Sequence, residues 1–177
     1  LCLAEKDRNV LSLKEVVKKI YRCLKRTEFY IYDRFPLITP ILPEEITFIY
    51  SEDLQQDYPS LTPKERENKI VEKHKAVFII GIGGNLADGK PHDGRAPDYD
   101  DWSTDSGEGH SGLNGDLLVW NPILKESFEL SSMGIRVSPE SLEKQLKIRN
   151  AEDRKILLFH KRLLAGGLSY TIGGGIG

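Results

Sequence analysis

The sequence predicts an α+β fold: an antiparallel β-sheet flanked by helices. Three observations carry that prediction. Residues 76–82 (AVFIIGI) form a continuous apolar run closed by glycine, the pattern of a strand buried on both faces. Residues 116–120 and 128–137 are two further apolar segments joined through a turn at Pro122, which reads as an antiparallel pair. The strands do not alternate strictly with helices, as a parallel doubly wound sheet would require.

Each element has a local cause. Residues 12–26 read as an amphipathic helix, because Leu13, Val16, Val17, Ile20 and Leu24 recur at helical spacing. Ser12 and Glu15 make a capping-box pattern at its start. Pro36, Pro40 and Pro43 mark an extended connection, and the β-branched and aromatic residues 46–50 predict a strand. Thr62, Pro63 and Glu65 supply a cap, a first-turn proline and a capping-box acid for a helix to about residue 73. Ser138-Pro139 opens another to about residue 147, and residues 151–164 predict one more. The glycine-rich stretch 171–177 closes the chain as a strand, an ending expected of an incomplete chain.

Composition narrows the class. The 177 residues suit one domain, with 39% hydrophobic and 29% charged residues, so neither disorder nor a membrane protein is expected. No apolar run approaches the roughly 18–20 residues a transmembrane helix needs, and no signal-peptide pattern opens the chain. A net charge of −2 removes the simplest case for a nucleic-acid binder. Cys2 and Cys23 cannot build a disulfide framework or a zinc site, and a cytoplasmic protein is expected.

The charge is unevenly spread. Residues 88–116 carry eight acids against Lys90 and Arg95, and residues 81–115 hold nine of the sixteen glycines. A solvated loop explains Asp88 and Asp93. It explains residues 95–102 (RAPDYDDW) less well, because crowded carboxylates interleaved with bulky aromatics need a cation or an ammonium group to stay ionised together. Asp116 and Glu129 stand on the two paired strands, and a carboxylate pair there would suit Mg²⁺ with phosphate oxygens if register brings both to one face. Strand alternation lets at most one of Ser131 and Ser132 point with Glu129. Arg136 reads as structural, as does His160; the four histidines lack metal-ligand spacing. The glycines at 81–84 lack the dinucleotide-binding spacing, and no phosphate-loop motif is present.

The segments VFIIGIGG, GRAPDYDDWSTDSGEGHSGLNGDLLVWNP, FELSSMGIRV and TIGGGIG resemble the ammonia-dependent asparagine synthetases, the aspartate–ammonia ligases. That family is similar to the catalytic domain of class II aminoacyl-tRNA synthetases. The resemblance implies that residues 1–177 are a fragment of a single catalytic domain. It places an active-site arginine before Leu1 and the third-motif arginine beyond Gly177, so that this stretch alone is expected to be inactive. It implies an ATP-dependent ligase forming asparagine from aspartate and ammonia through an aspartyl-adenylate, as a homodimer with no nucleic-acid or membrane partner.

On the same resemblance, Asp116 and Glu129 are Mg²⁺–ATP carboxylates, with Asp116 also catalytic. Asp100 holds the substrate ammonium or positions ammonia, and Arg95 neutralises phosphate or carboxylate. Asp98, Ser131 and Ser132 join Asp100 in substrate binding. Gly173, Gly174, Gly175 and Gly177 form the adenine-side floor. The alternative is a non-catalytic synthetase-like module that binds an amino acid or a partner.

Overall fold

The computed structural model describes residues 1–176 of the chain. Helix α1 (Val10–Arg34) is the longest element. Asn9, not Ser12, caps it: the Asn9 side chain accepts from the Ser12 backbone N–H at 2.9 Å, so the cap lies one turn earlier than the Ser12/Glu15 pattern predicts. Strand β1 (Thr47–Tyr50) runs directly into α2 (Ser51–Asp57), a short helix that carries no sequence signal beyond buried Leu54. Helix α3 (Pro63–His74) has the capping box expected at Thr62 and Glu65. Strand β2 (Ala76–Ile80) is fully buried, as its unbroken apolar run predicts.

A long loop then carries the small hairpin β3 (Asp105–Gly107) and β4 (His110–Ser111) before β5 (Asn114–Asn121) and β6 (Glu126–Ile135). Helix α4 (Pro139–Ile148) starts from a reciprocal Ser138–Ser141 cap. The helix expected over 151–164 is instead a 3₁₀ turn, Glu152–Ile156, and a short α5 (Leu158–Leu164). The break falls at Leu157, whose φ −70° and ψ 152° are extended. Strand β7 (Ile172–Ile176) ends the described chain.

The main sheet has the order β1-β2-β5-β6-β7. All its pairings are antiparallel except β1 with β2, which is parallel because α2 and α3 cross between them. One face packs on α1, where Leu13, Val17 and Tyr21 meet Phe78, Ile80, Leu117, Met133 and Ile135. The opposite face is covered by α2 and α3, where Leu54, Ile70 and Val71 meet Val77, Ile79 and Leu118, and α3 also reaches the start of β6 through Lys64 and Asn68 at Ser127. That leaves the part of this face past Ser127, toward β7, for other uses. No helix among the described residues is long and apolar enough to cross a membrane.

Removing the Asn9 cap should therefore cost more than removing the Ser12 hydroxyl. Asn9→Ala is expected to lose about 1 kcal/mol, a fall in Tm of roughly 2–4 °C for a domain of this size. Ser12→Ala should stay within about 0.5 kcal/mol of the parent chain. Thermal unfolding of both variants checks the assignment.

Candidate functional site

The uncovered half of the sheet becomes a site through one irregularity in β6. Along β5 and β6, Asp116 lies opposite Ser132 and Leu117 opposite Ser131, but Leu118 lies opposite Glu129. Leu130 is the extra residue of a β-bulge. In an unbroken ladder Glu129 would sit on the other face from Asp116, since side chains alternate with a period of two. The bulge resets that parity and places Glu129 on the face of Asp116 and Ser132.

It also decides between the two serines. Ser132 shares the site face, whereas Ser131 lies opposite Leu117 on the α1 side and donates its hydroxyl to the Gly175 carbonyl at 2.7 Å.

The same parity sorts the glycines. Gly173 pairs with Gly134 and Gly175 with Ser132, so these positions lie on the site face. Gly174 pairs with Met133 and turns toward α1, contributing backbone alone to the floor. A Cβ at Gly134 would lie 2.8 Å from Asp100 Cγ and 2.7 Å from Asn114 Cβ, so only glycine admits the Asp100 carboxylate there. A Cβ at Gly173 would come 3.0 Å from the Arg136 guanidinium, while the space over Gly175 is open. Gly177 lies outside the described residues.

Two arginine–aspartate pairs stand on this floor. Arg136 pairs with Asp100, donates to the Tyr99 hydroxyl at 2.9 Å and stacks on the Tyr99 ring with Cζ 3.9 Å from its centre. Arg95 pairs with Asp116 and with Asp93. Burial would lower the proton affinity of the Arg95 guanidinium, but Asp116 and Asp93 outweigh it and hold it charged. Burial also pushes the Asp100 carboxyl above the usual carboxylate range, against the opposing pull of Arg136. Glu129 is raised as well, by burial first and then by the neighbouring Asp116 charge, with Arg95 opposing. One oxygen of Asp116, Oδ1, is buried without a hydrogen-bond partner.

The loop that delivers Arg95 and Asp100 is held from below. Trp102 is 2% exposed; its indole N–H donates to the Ala96 carbonyl at 3.1 Å. Its ring occupies the space beside Gly83, where φ is +125° and a Cβ would meet Trp102 Cγ at 2.7 Å and Arg95 Cβ at 2.9 Å. Gln145 of α4, fully buried, accepts from the backbone N–H of Trp102 at 2.8 Å and donates to the carbonyls of Pro97 at 2.9 Å and Asp100 at 3.1 Å.

The sequence-predicted residues thus divide. Asp100, Arg95, Asp116, Glu129, Ser132, Gly173 and Gly175 converge on one face. Asp98 is drawn outward, accepting from His160 and Arg154 at 3.0 Å each, and lines a cleft of about 370 Å³ with Tyr99, Arg136 and Phe159. Arg136, which reads as structural in the sequence, puts its guanidinium on the floor. Gln145 carries no signal in the sequence at all, because a helical glutamine is ordinarily a solvated one.

Glu129 gives a test without substrate. A carboxyl raised in the folded state binds more protons there than in the unfolded chain, so its ionisation destabilises the fold as pH rises. Glu129→Gln should therefore raise Tm at pH 7. The gain should shrink to nothing as pH falls below the ordinary glutamate value of about 4.3. Paired thermal unfolding from pH 4 to 8 checks the sign.

The family model described as aspartate-ammonia ligase matches residues 1–177. The aspartate–ammonia ligase of Parabacteroides distasonis is 58% identical over 175 residues, covering 99% of this chain and 51% of that protein. The chain spans about half the length of that curated relative. Among solved structures, the aspartyl-tRNA synthetase of Entamoeba histolytica matches with a TM-score of 0.64 at 15% identity, over 100% of this chain and 37% of that one. The asparaginyl-tRNA synthetase of the same organism, in complex with asparaginyl-adenylate, matches with a TM-score of 0.57 at 12% identity, over 98% and 40%. These two likenesses establish the class II synthetase fold, and the family match over the whole chain settles its kinship: the chain belongs to the aspartate–ammonia ligase family.

Proposed function

We propose that this chain carries the aspartate and nucleotide floor of an enzyme that makes asparagine from aspartate, ATP and ammonia through an aspartyl-adenylate. The observation that carries the reading is the pair of arginine–aspartate contacts over a glycine floor. Asp100 with Arg136 presents a carboxylate and a guanidinium side by side, complementary to an amino acid's ammonium and carboxylate. Asp116 with Arg95 and Glu129 presents the charges a triphosphate needs, beside the open space over Gly175. A protein of the same fold was solved with asparaginyl-adenylate, an acyl-adenylate of the same chemical class.

The product fixes the orientation. Asparagine bears its amide on the side chain, so the side-chain carboxylate of aspartate must be the one activated. The α-carboxylate is then left for Arg136 and the α-ammonium for Asp100. In the first step a side-chain carboxylate oxygen attacks the α-phosphorus and pyrophosphate leaves. In the second, ammonia attacks the acyl carbon, AMP leaves with the bonding electrons, and one proton is lost from nitrogen. Arg95, released from Asp116 by the incoming phosphates, balances their charge, and Ser132 offers a hydroxyl on the same face.

The donor set fits a magnesium ion. Asp116 keeps an orphaned buried oxygen, and Glu129 on the same face feels the Asp116 charge despite Arg95. Bound at Asp116 and Glu129, the ion would neutralise phosphate charge. The exposed apolar residues Phe29, Tyr30, Phe35, Leu37 and Ile38 support a covered surface of the kind a homodimer provides.

In the intact enzyme, ammonium should support AMP and asparagine formation, and glutamine alone should not. Equal turnover with glutamine would contradict the reading. Asp100→Asn should weaken aspartate binding about tenfold or more while leaving ATP binding nearly unchanged. Glu129→Gln should instead lose ATP–pyrophosphate exchange by about 10²-fold or more. Calorimetric titration with each substrate separates the two roles, and the reverse pattern would show them exchanged.

A further inference from the structure

Beneath the Asp100–Arg136 pair lies a second, internal pair that no part of the proposed chemistry uses. Asp101 is fully buried and Arg8 nearly so, with their side chains 0% and 10% exposed. Nη2 of Arg8 donates to Asp101 Oδ2 at 2.5 Å and also to the backbone carbonyl of Arg136 at 3.0 Å. The remaining acceptor capacity of Asp101 is filled. Its Oδ1 accepts from the backbone N–H groups of Ser103 at 3.1 Å and Thr104 at 3.0 Å, and its Oδ2 from the Thr104 hydroxyl at 2.6 Å.

We infer that Arg8 and Asp101 are positioning residues for the aspartate subsite, an inference that rests on the reading of Asp100 and Arg136 given above. The backbones of Asp100 and Arg136 form an isolated antiparallel bridge, and Asp101 N–H donates to the Ile135 carbonyl at 2.9 Å. Successive side chains of an extended segment point to opposite sides. Asp100 therefore reaches up to the floor at Gly134 while Asp101 reaches down to Arg8.

One guanidinium thus grips the two main-chain segments that carry the substrate-facing acid and base. When aspartate enters, the Asp100 and Arg136 side chains must part to take its ammonium and α-carboxylate. The bridging Nη2 of Arg8 keeps the two backbones in place while they do so, so that their spacing continues to match one α-amino acid. The pair is remote from Arg95, Asp116 and Glu129 in its hydrogen bonding, so its effect falls on the amino acid and spares the nucleotide.

The discriminating substitution is Arg8→Lys in the intact enzyme. A lysine keeps the charge against Asp101 but its side chain ends one atom short of Nη2, the single nitrogen that joins Asp101 to the Arg136 carbonyl. Its KM for aspartate should rise about 10- to 100-fold, the cost of a displacement of order 1 Å at a reacting group. Its KM for ATP should stay within about twofold. Thr104→Val, which removes one of four bonds to Asp101, keeps the inference testable if Arg8→Lys fails to fold; it should shift the aspartate KM in the same direction by a smaller factor.

The calorimetric Kd for aspartate should follow these changes. A folded variant with an unchanged aspartate Kd, or with equal losses for aspartate and ATP, would overturn the positioning role. A parent enzyme that binds no aspartate would overturn the functional reading instead.

Discussion

The bulge at Leu130 is the constraint on which the rest of the site depends. It inserts one residue into β6 opposite Leu117 and Leu118, and so rotates everything N-terminal to it by one face of the sheet. Because of it, Leu130 and Ser131 both serve the α1 side, while Glu129 and Ser132 both serve the open side. The carboxylates Asp116 and Glu129 then share one face. The same strand continues regularly from Ser132 through Gly134, which aligns Gly173 and Gly175 of β7 with it. A flat two-sided sheet has become one apolar face and one chemically equipped half-face.

Burial gives those charges their meaning. Asp100 is 5% and Asp116 5% exposed, and each is balanced by an arginine whose guanidinium is also largely covered. Removing one partner of such a pair leaves the other charge stranded, at a cost of about 3–5 kcal/mol. An amino acid that brings its own ammonium and carboxylate replaces both partners at once and strands neither. A neutral ligand, or one bearing a single charge, would not. Complementarity of this kind discriminates by the penalty on the wrong ligand as much as by attraction for the right one. It also requires a stiff support, which Trp102, Gln145 and the saturated Asp101 carboxylate supply.

Much of the fold was legible because its signals are local. The capping residues at Thr62 and Ser138, the apolar run at 76–80 and the two strands around Pro122 each report their own conformation. The failures are equally instructive. Asn9 and Ser12 are both good caps, and nothing in the sequence alone says which carbonyl starts the helix. Helix α2 follows β1 without any break residue, so the parallel β1–β2 crossing was invisible. In the site, residue types were legible but faces were not: a bulge leaves no mark in a run such as FELSSMGI. Arg136 looked like one more strand residue, because its role depends on Asp100 arriving across 36 positions of sequence. Gln145 was hidden for the same reason.

The central claim of the proposed function is directly testable: the half-face of β5, β6 and β7 is the acyl-adenylate floor. The most direct measurement is a crystal structure of the intact protein with a non-hydrolysable aspartyl-adenylate analogue. The account predicts the adenosine over Gly173 and Gly175, the phosphate beside Arg95 and Asp116, and the α-ammonium within hydrogen-bond distance of Asp100. It also predicts the Asp100–Arg136 contact opened, with the α-carboxylate on Arg136. An analogue bound elsewhere, or bound here with that pair still closed, would contradict it.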